Sequence, residues 1–218
     1  MLKKEQKQIL KTVFSSKIKN IATWGGGTAL SEIYLHHRKS DDIDIILFDL
    51  PPEIELTILT NQIRKNLMAK NKKSIVKMNR FQYVFSFDRE KQQKLEFVYY
   101  PFKKLEKIKT IDLVKIESLY DIAVSKTLAA YQRKEIKDTY DLFIILNKKY
   151  FTLKKLIDGV EKKFQEKIDV IALLSKLSES LSVYSDLKPY LIEEKISKKT
   201  IQDFFQNEFN KILKNQKL

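Results

Sequence analysis

Three of the chain's four glycines stand together, at Gly25, Gly26 and Gly27. Glycine costs the most backbone entropy to order. A sequence so sparing of it sets three in a row only where φ must be positive or where something must approach the main chain closely. The flanks give the triplet a setting. Ile18 to Trp24 is a short apolar stretch; Thr28 to His36 carries Ala29, Leu30, Ile33 and Tyr34 at near-helical spacing; Asp42 to Phe48 alternates, with Ile43, Ile45 and Leu47 on one side. The unit reads as strand, tight turn, helix and strand, with the turn presenting its backbone to a ligand.

The remainder divides by period. Pro51 and Pro52 open a helix expected to run to about Lys70. Phe81 to Asp88 and Leu95 to Tyr100 alternate with period two across a charged turn, which predicts a hairpin joining the same sheet, and Pro101 ends it. From Ser118, with Asp121 three residues on as in a capping box, the pattern is helical: to Gln132, then Asp138 to Leu146, Leu153 to Phe164, Val170 to Leu181 and Lys198 to Leu213. Gly159 is the one breaker inside these segments. The expected fold class is therefore α/β (α+β): residues 1–117 form a small mixed β-sheet flanked by helices, and residues 118–218 a mostly helical domain. No internal repeat or low-complexity linker interrupts it.

Composition narrows the chemistry. With no cysteine, disulfides and thiolate metal sites are excluded, so any metal is held by oxygen or imidazole and a hard cation is favoured. The Lys-rich start lacks an apolar core, and no run approaches the roughly 18 apolar residues of a membrane span; the expectation is a cytoplasmic protein without a membrane partner. The net charge is +14, concentrated between Asn61 and Lys115, where 15 Lys and Arg face 5 Asp and Glu. In that tract Phe81, Tyr83, Phe85 and Phe87 alternate with polar positions. Basic charge interleaved with aromatics suits a nucleic-acid backbone, though a plain solvated lysine surface has the same composition.

Residues two apart on a strand point the same way, so Asp42 and Asp44 present two carboxylates from one face, about fifteen residues beyond the glycine turn. Carboxylates this close repel unless a cation lies between them. Mg²⁺ takes one or two protein carboxylates together with substrate phosphates. Glu96, set among Leu95, Phe97 and Val98 where an acid is costly to bury, is the candidate third carboxylate. Farther on, Lys126 shares a helix stripe with Leu119, Ile122, Ala123, Ala130 and Arg133, so it faces inward and requires an anion, either a triphosphate or a neighbouring carboxylate. Asp138 and Asp141 fit a helix start, as N-cap and first-turn acid. His36 and His37 are expected at an exposed helix end, and Trp24 in the core.

Residues 24–46, WGGGTALSEIYLHHRKSDDIDII, resemble the first motif of the DNA polymerase β-like nucleotidyltransferases, and specifically the AbiEii/AbiGii toxin family, in which Gly-Gly-Thr-Ala-Leu is followed by an Arg and then Ser-x-Asp-x-Asp. Residues 119–146, LYDIAVSKTLAAYQRKEIKDTYDLFIIL, are similar to that family's later motifs: a helical Lys, an Arg seven residues on, then Lys-Asp-x-x-Asp-Leu. The resemblance implies a nucleotidyltransferase core. It implies Gly26, Gly27 and Thr28 at the phosphates, Arg38 and Ser40 flanking the metal site, and Asp42 and Asp44 as metal ligands with Glu96 as the third. It also implies Lys126, Arg133, Lys137, Asp138 and Asp141 as the nucleotide-binding second block, with Lys126 catalytic as well. Two positions depart from the pattern: Glu96 stands where relatives commonly show Asp, and Gly25 is an extra glycine. The implied reaction is attack of an acceptor hydroxyl on the α-phosphate of a nucleoside triphosphate, with two Mg²⁺ (or Mn²⁺) ions, in the toxin half of a toxin-antitoxin or phage-defence pair restrained by a separately encoded antitoxin. The basic tract favours RNA, a tRNA 3′ end, as acceptor. A protein or aminoglycoside-like acceptor is the second class, and a catalytically silent binding module the third.

Overall fold

The computed structural model describes residues 2–88, 91–192 and 196–215. It divides into two compact units: Met1–Tyr34 with Ser40–Ser118, and Leu35–Lys39 with Leu119–Leu218. The second unit thus takes five residues from the middle of the first unit's sequence.

The first unit is built on a seven-stranded mixed sheet in the order β3-β4-β5-β2-β1-β7-β6. Its strands are β1 (Ala22–Gly25), β2 (Ile43–Leu47), β3 (Asn71–Lys77), β4 (Arg80–Ser86), β5 (Gln92–Tyr99), β6 (Lys109–Ile111) and β7 (Val114–Ile116). β2 runs parallel to β5 and β1 parallel to β7, while the other neighbours are antiparallel. Two-residue alternation gives the sheet two unlike faces. Trp24, Ile43, Ile45, Leu47, Leu95, Phe97, Tyr83 and Phe85 are buried on one face. Helices α1 (Lys4–Phe14) and α3 (Glu53–Asn66) contribute Ile9, Val13, Phe14, Leu56 and Ile63 to the same core. The opposite face carries Gly25, Asp44 and Glu96, which are lateral neighbours on β1, β2 and β5.

Helix α2 (Gly26–Ala29) begins directly from β1 and continues as a π-helical turn, Leu30–Leu35. The expected helix over Thr28 to His36 is present, opening two residues earlier. The expected β4–β5 hairpin is also present; its charged connection includes Arg89 and Glu90, which lie outside the described residues. Three strands went unforeseen. β3 is an edge strand whose residues are mostly exposed, with lysines where an apolar alternation would be needed to recognise it. β6 and β7 are three residues each, joined by a two-residue turn with Asp112 at φ 53.

The second unit is helical: α4 (Leu119–Gln132), α5 (Ile136–Asn147), α6 (Leu153–Phe164), α7 (Val170–Ser180), a 3₁₀ stretch Leu181–Tyr190, and α8 (Lys198–Asn215). Residues 216–218, the end of the expected helical domain, lie outside the described residues. Ile122, Leu128, Phe143, Leu156, Leu173, Leu177, Phe205 and Phe209 form its core. Gly159, expected to break the pattern, stays inside α6, at a position where a side chain would collide with Val124 and Tyr120 of α4. Asp121, expected in a capping box, is fully buried with its carboxylate 2.8 Å from the Lys163 ammonium. Among the described residues no helix is long and apolar enough to cross a membrane.

Candidate active site

The glycine turn is shaped by the carboxylates around it. Gly26 has φ 71, and a Cβ there would overlap the carboxylate of Asp44. Asp44 pairs across the ladder with Gly25, so its side chain lies directly over the turn's backbone. Gly25 is constrained from another side: a Cβ on it would overlap the Glu117 carboxylate. Glu117 is buried, donates its N–H to Trp24 O at 3.0 Å, and is paired through Oε1 with Lys104 Nζ at 2.5 Å. The extra glycine therefore answers a specific neighbour. Sequence reasoning missed Glu117; its one available signal was an acid closing the apolar segment just ahead of Ser118.

Asp42, one residue before β2, is half exposed, with Lys94 Nζ 3.4 Å from its Oδ2. The loop that carries it is held through its main chain. Gln6 donates to Ser40 O and Asp41 O at 3.1 Å each, and Gln93 donates to Asp41 O at 2.6 Å. Thr28 Oγ1 lies 2.8 Å from the Ser40 hydroxyl and donates to the Asp42 carbonyl. Thr28 and Ser40 thus join the glycine-turn helix to the aspartate loop. Gly27 is buried in the first turn of α2. Glu96, in register with Asp44, accepts a hydrogen bond from Arg80 Nη1 at 2.9 Å. Among the described residues no three carboxylate or imidazole side chains form one cation-holding cluster. Asp42, Asp44 and Glu96 share a region of one sheet face, with the outer two turned onto basic side chains, as expected of acids that repel one another.

The second unit gathers most of the other expected residues into a buried ionic network. Asp141, fully buried, accepts from Arg38 Nε at 2.6 Å and Arg38 Nη2 at 2.8 Å, and from His37 Nε2 at 2.6 Å. The Lys126 ammonium lies 2.8 Å from Asp141 Oδ2 and 2.6 Å from Asp138 Oδ1. Arg133 Nε closes the set at 2.7 Å from Asp138 Oδ2, its side chain 51% exposed. Burial alone would raise the Asp141 carboxyl, but Arg38, Lys126 and the His37 hydrogen bond outweigh it and hold Asp141 well below the ordinary carboxylate value. Asp138 is lowered too, as Lys126 and Arg133 outweigh its burial. Burial pushes Lys126 down, yet Asp138 and Asp141 prevail and raise it. Of the two anions open to Lys126 in the sequence, the neighbouring carboxylates are the ones in contact. Lys137 stands apart, its ammonium 3.6 Å from the centroid of the Tyr190 ring.

Two expectations are corrected here. Asp138 is not the N-cap of α5: the cap is Glu135, so Asp138 is the acid of the first turn, its carboxylate turned to Lys126 and Arg133, and Asp141 lies beyond that turn. His36 is exposed as expected, but His37 is 8% exposed. Its ring stacks on Tyr140 at 5.6 Å, and burial lowers its pKa despite Asp141, so the neutral ring donates from Nε2. Trp24 is core, as expected.

The family described as nucleotidyl transferase AbiEii toxin, type IV TA system, matches residues 9–217. The chain belongs to this family of nucleotidyltransferase toxins. It is 32% identical over 215 residues to an uncharacterized protein of Aquifex aeolicus (strain VF5), spanning 94% of this chain and 98% of that one. In fold it is similar to the crystal structure of JHP933 from Helicobacter pylori, with a TM-score of 0.62 and 17% identity, covering 98% of this chain and 92% of that one.

Proposed function

We propose that this nucleotidyltransferase moves a nucleoside monophosphate from a nucleoside triphosphate to an acceptor hydroxyl on RNA, using divalent cations. The observation that carries the reading is the seating of Asp44 against Gly26, which brings a carboxylate onto the one backbone turn without a side chain. The first N–H groups of a helix have no partner within it, and such groups receive phosphate oxygens. Gly26, Gly27 and Thr28 occupy the start of α2 and would hold the triphosphate there, with Thr28 and Ser40 keeping the aspartate loop in place.

The donor set suits a hard cation: Asp42 and Asp44 offer carboxylate oxygens only, two being the usual protein share for Mg²⁺ at a phosphoryl site. Bound there, Mg²⁺ (or Mn²⁺) would neutralise charge building on the phosphate oxygens. Glu96 is proposed to take the proton of the attacking hydroxyl as the new phosphodiester forms and pyrophosphate leaves. Arg38, Lys126, Arg133, Asp138 and Asp141 are proposed as the nucleotide-side block. Their network contains three cations against two carboxylates, an excess suited to an anionic ligand. Lys137 is proposed to act beside them. The basic excess between Asn61 and Lys115 supports RNA, a tRNA end in particular, over a small-molecule acceptor. The family's type IV toxin-antitoxin description supports an antitoxin encoded separately.

The test is incubation of the protein with each α-³²P-labelled nucleoside triphosphate, Mg²⁺, total bacterial RNA and protein, beside Asp42→Ala/Asp44→Ala. Label entering a tRNA-sized band only with the intact carboxylates is the expected result. Label entering protein would overturn the RNA acceptor, and label entering nothing would overturn the transfer reading.

A further inference from the structure

The sheet face that carries Asp44 and Glu96 extends beyond them. By the two-residue alternation, Ile46 and Phe48 follow Asp44 on the same side, as Val98 and Tyr100 follow Glu96. The ladder continues past the strand ends, with Tyr100 N–H donating to Leu47 O at 2.7 Å and Phe48 N–H to Ile21 O at 3.0 Å. Just there a cavity of about 470 Å³ opens, its lining including Phe48, Pro101, Phe102, Lys103, Lys104 and Glu106. That volume is within the range of ligand pockets. Phe48 lies four residues along the chain from Asp44, roughly 13 Å in extended backbone.

Lys104 ties the cavity to the glycine turn. Its ammonium lies 5.7 Å from the centroid of the Phe48 ring and 2.5 Å from Glu117 Oε1, and Glu117 packs against Gly25. The Phe102 ring is braced edge-on by Tyr100 at 4.9 Å. An aromatic ring beside the exposed Lys103, on the same face as the proposed transfer site, has the chemistry that holds a base and its phosphate. Every base offers a π-face to stack, and the ammonium groups neutralise the backbone.

We propose that this cavity is a stacking subsite for one nucleobase of a single-stranded nucleic-acid acceptor, upstream of the nucleotide whose hydroxyl reacts. The inference rests on the RNA-acceptor reading above and adds a site to it. Phe102 stacks on the base, Lys103 meets a phosphate, Lys104 stays with Glu117 and the Phe48 ring, and Glu106 can accept from an exocyclic amine at the base edge.

The test is a direct titration of fluorescently labelled single-stranded RNA into wild type, Phe102→Ala, Phe102→Tyr and Lys103→Ala without nucleotide, together with KM for RNA and for the nucleoside triphosphate. Circular dichroism and melting would verify that each variant folds. Phe102→Ala is expected to weaken RNA binding about ten- to a hundredfold. Phe102→Tyr keeps the ring and should restore it, and Lys103→Ala should lower the salt slope by about 0.7. If wild type labels RNA but Phe102→Ala binds it equally well, the subsite is overturned while the transfer reading stands. If wild type transfers nothing to RNA, the titration alone decides: binding lost in Phe102→Ala supports the subsite, and equal or no binding overturns it. If KM for the triphosphate rises and KM for RNA does not, the cavity holds the incoming nucleotide's base and the acceptor assignment falls.

Discussion

Asp42 and Asp141 are both aspartates near basic side chains, in contrasting surroundings. The Asp42 side chain is 50% exposed, with one ammonium at 3.4 Å. Asp141 is completely buried, with an imidazole, a guanidinium and an ammonium filling its acceptor positions at 2.6–2.8 Å. A charge left in water is only weakly committed to its neighbour and can be claimed by a cation from solution. A charge removed from water is held only because its partners are fixed, and losing any one leaves the rest uncompensated. Asp42 is therefore open to a cation from solution, whereas Asp141 is committed to the side chains around it.

The largest expected effect lies on the open face. Asp42→Ala/Asp44→Ala should lower transfer on the order of a thousandfold or more, with a melting temperature close to wild type; a large fall in melting temperature would mean these acids hold the fold as Asp141 does. Asp141→Asn should do the reverse first, costing about 3–5 kcal/mol of stability in denaturant titration; an unchanged midpoint would show that the network is not structural.

The third prediction concerns pH. Asp138 and Asp141 are depressed in the folded chain, so the stability they add is complete above the ordinary value of 3.8 and is lost as pH falls through their folded values. Lys126 is raised, so its contribution is complete below 10.5 and is lost as pH rises through its folded value. Melting temperatures across pH should thus fall at both extremes, and Asp141→Asn should flatten the acid limb. An acid limb of the same steepness in that variant would exclude Asp141 as its source. The smallest effect belongs to Lys94→Ala, whose exposed pair with Asp42 should change stability by less than about 1 kcal/mol. A larger loss would erase the contrast between the two regions.

The glycine turn, the two aspartates and the helical second half could be read from the chain because each is written locally. A glycine run, a two-residue alternation and a three-to-four spacing need only neighbours in sequence. The inward face of Lys126 was legible for the same reason. Glu117, Lys104 and the burial of His37 were not, since nothing near them in sequence states which distant side chain they meet. β3 escaped because an exposed edge strand carries no apolar alternation, and the cap of α5 because a helix start tolerates several registers.

The sequence by itself determined which residue types stand at the turn and on the strand after it, and hence the chemistry available there. Only the tertiary structure decided which carboxylates stay open and which are neutralised. It set Asp44 over Gly26 and Glu117 over Gly25, and it drew Leu35–Lys39 into the second unit so that Arg38 could meet Asp141, 103 residues away. The physical reason is that spacing fixes the direction of a side chain, whereas desolvation and ion pairing depend on what other segments bring within a few ångströms.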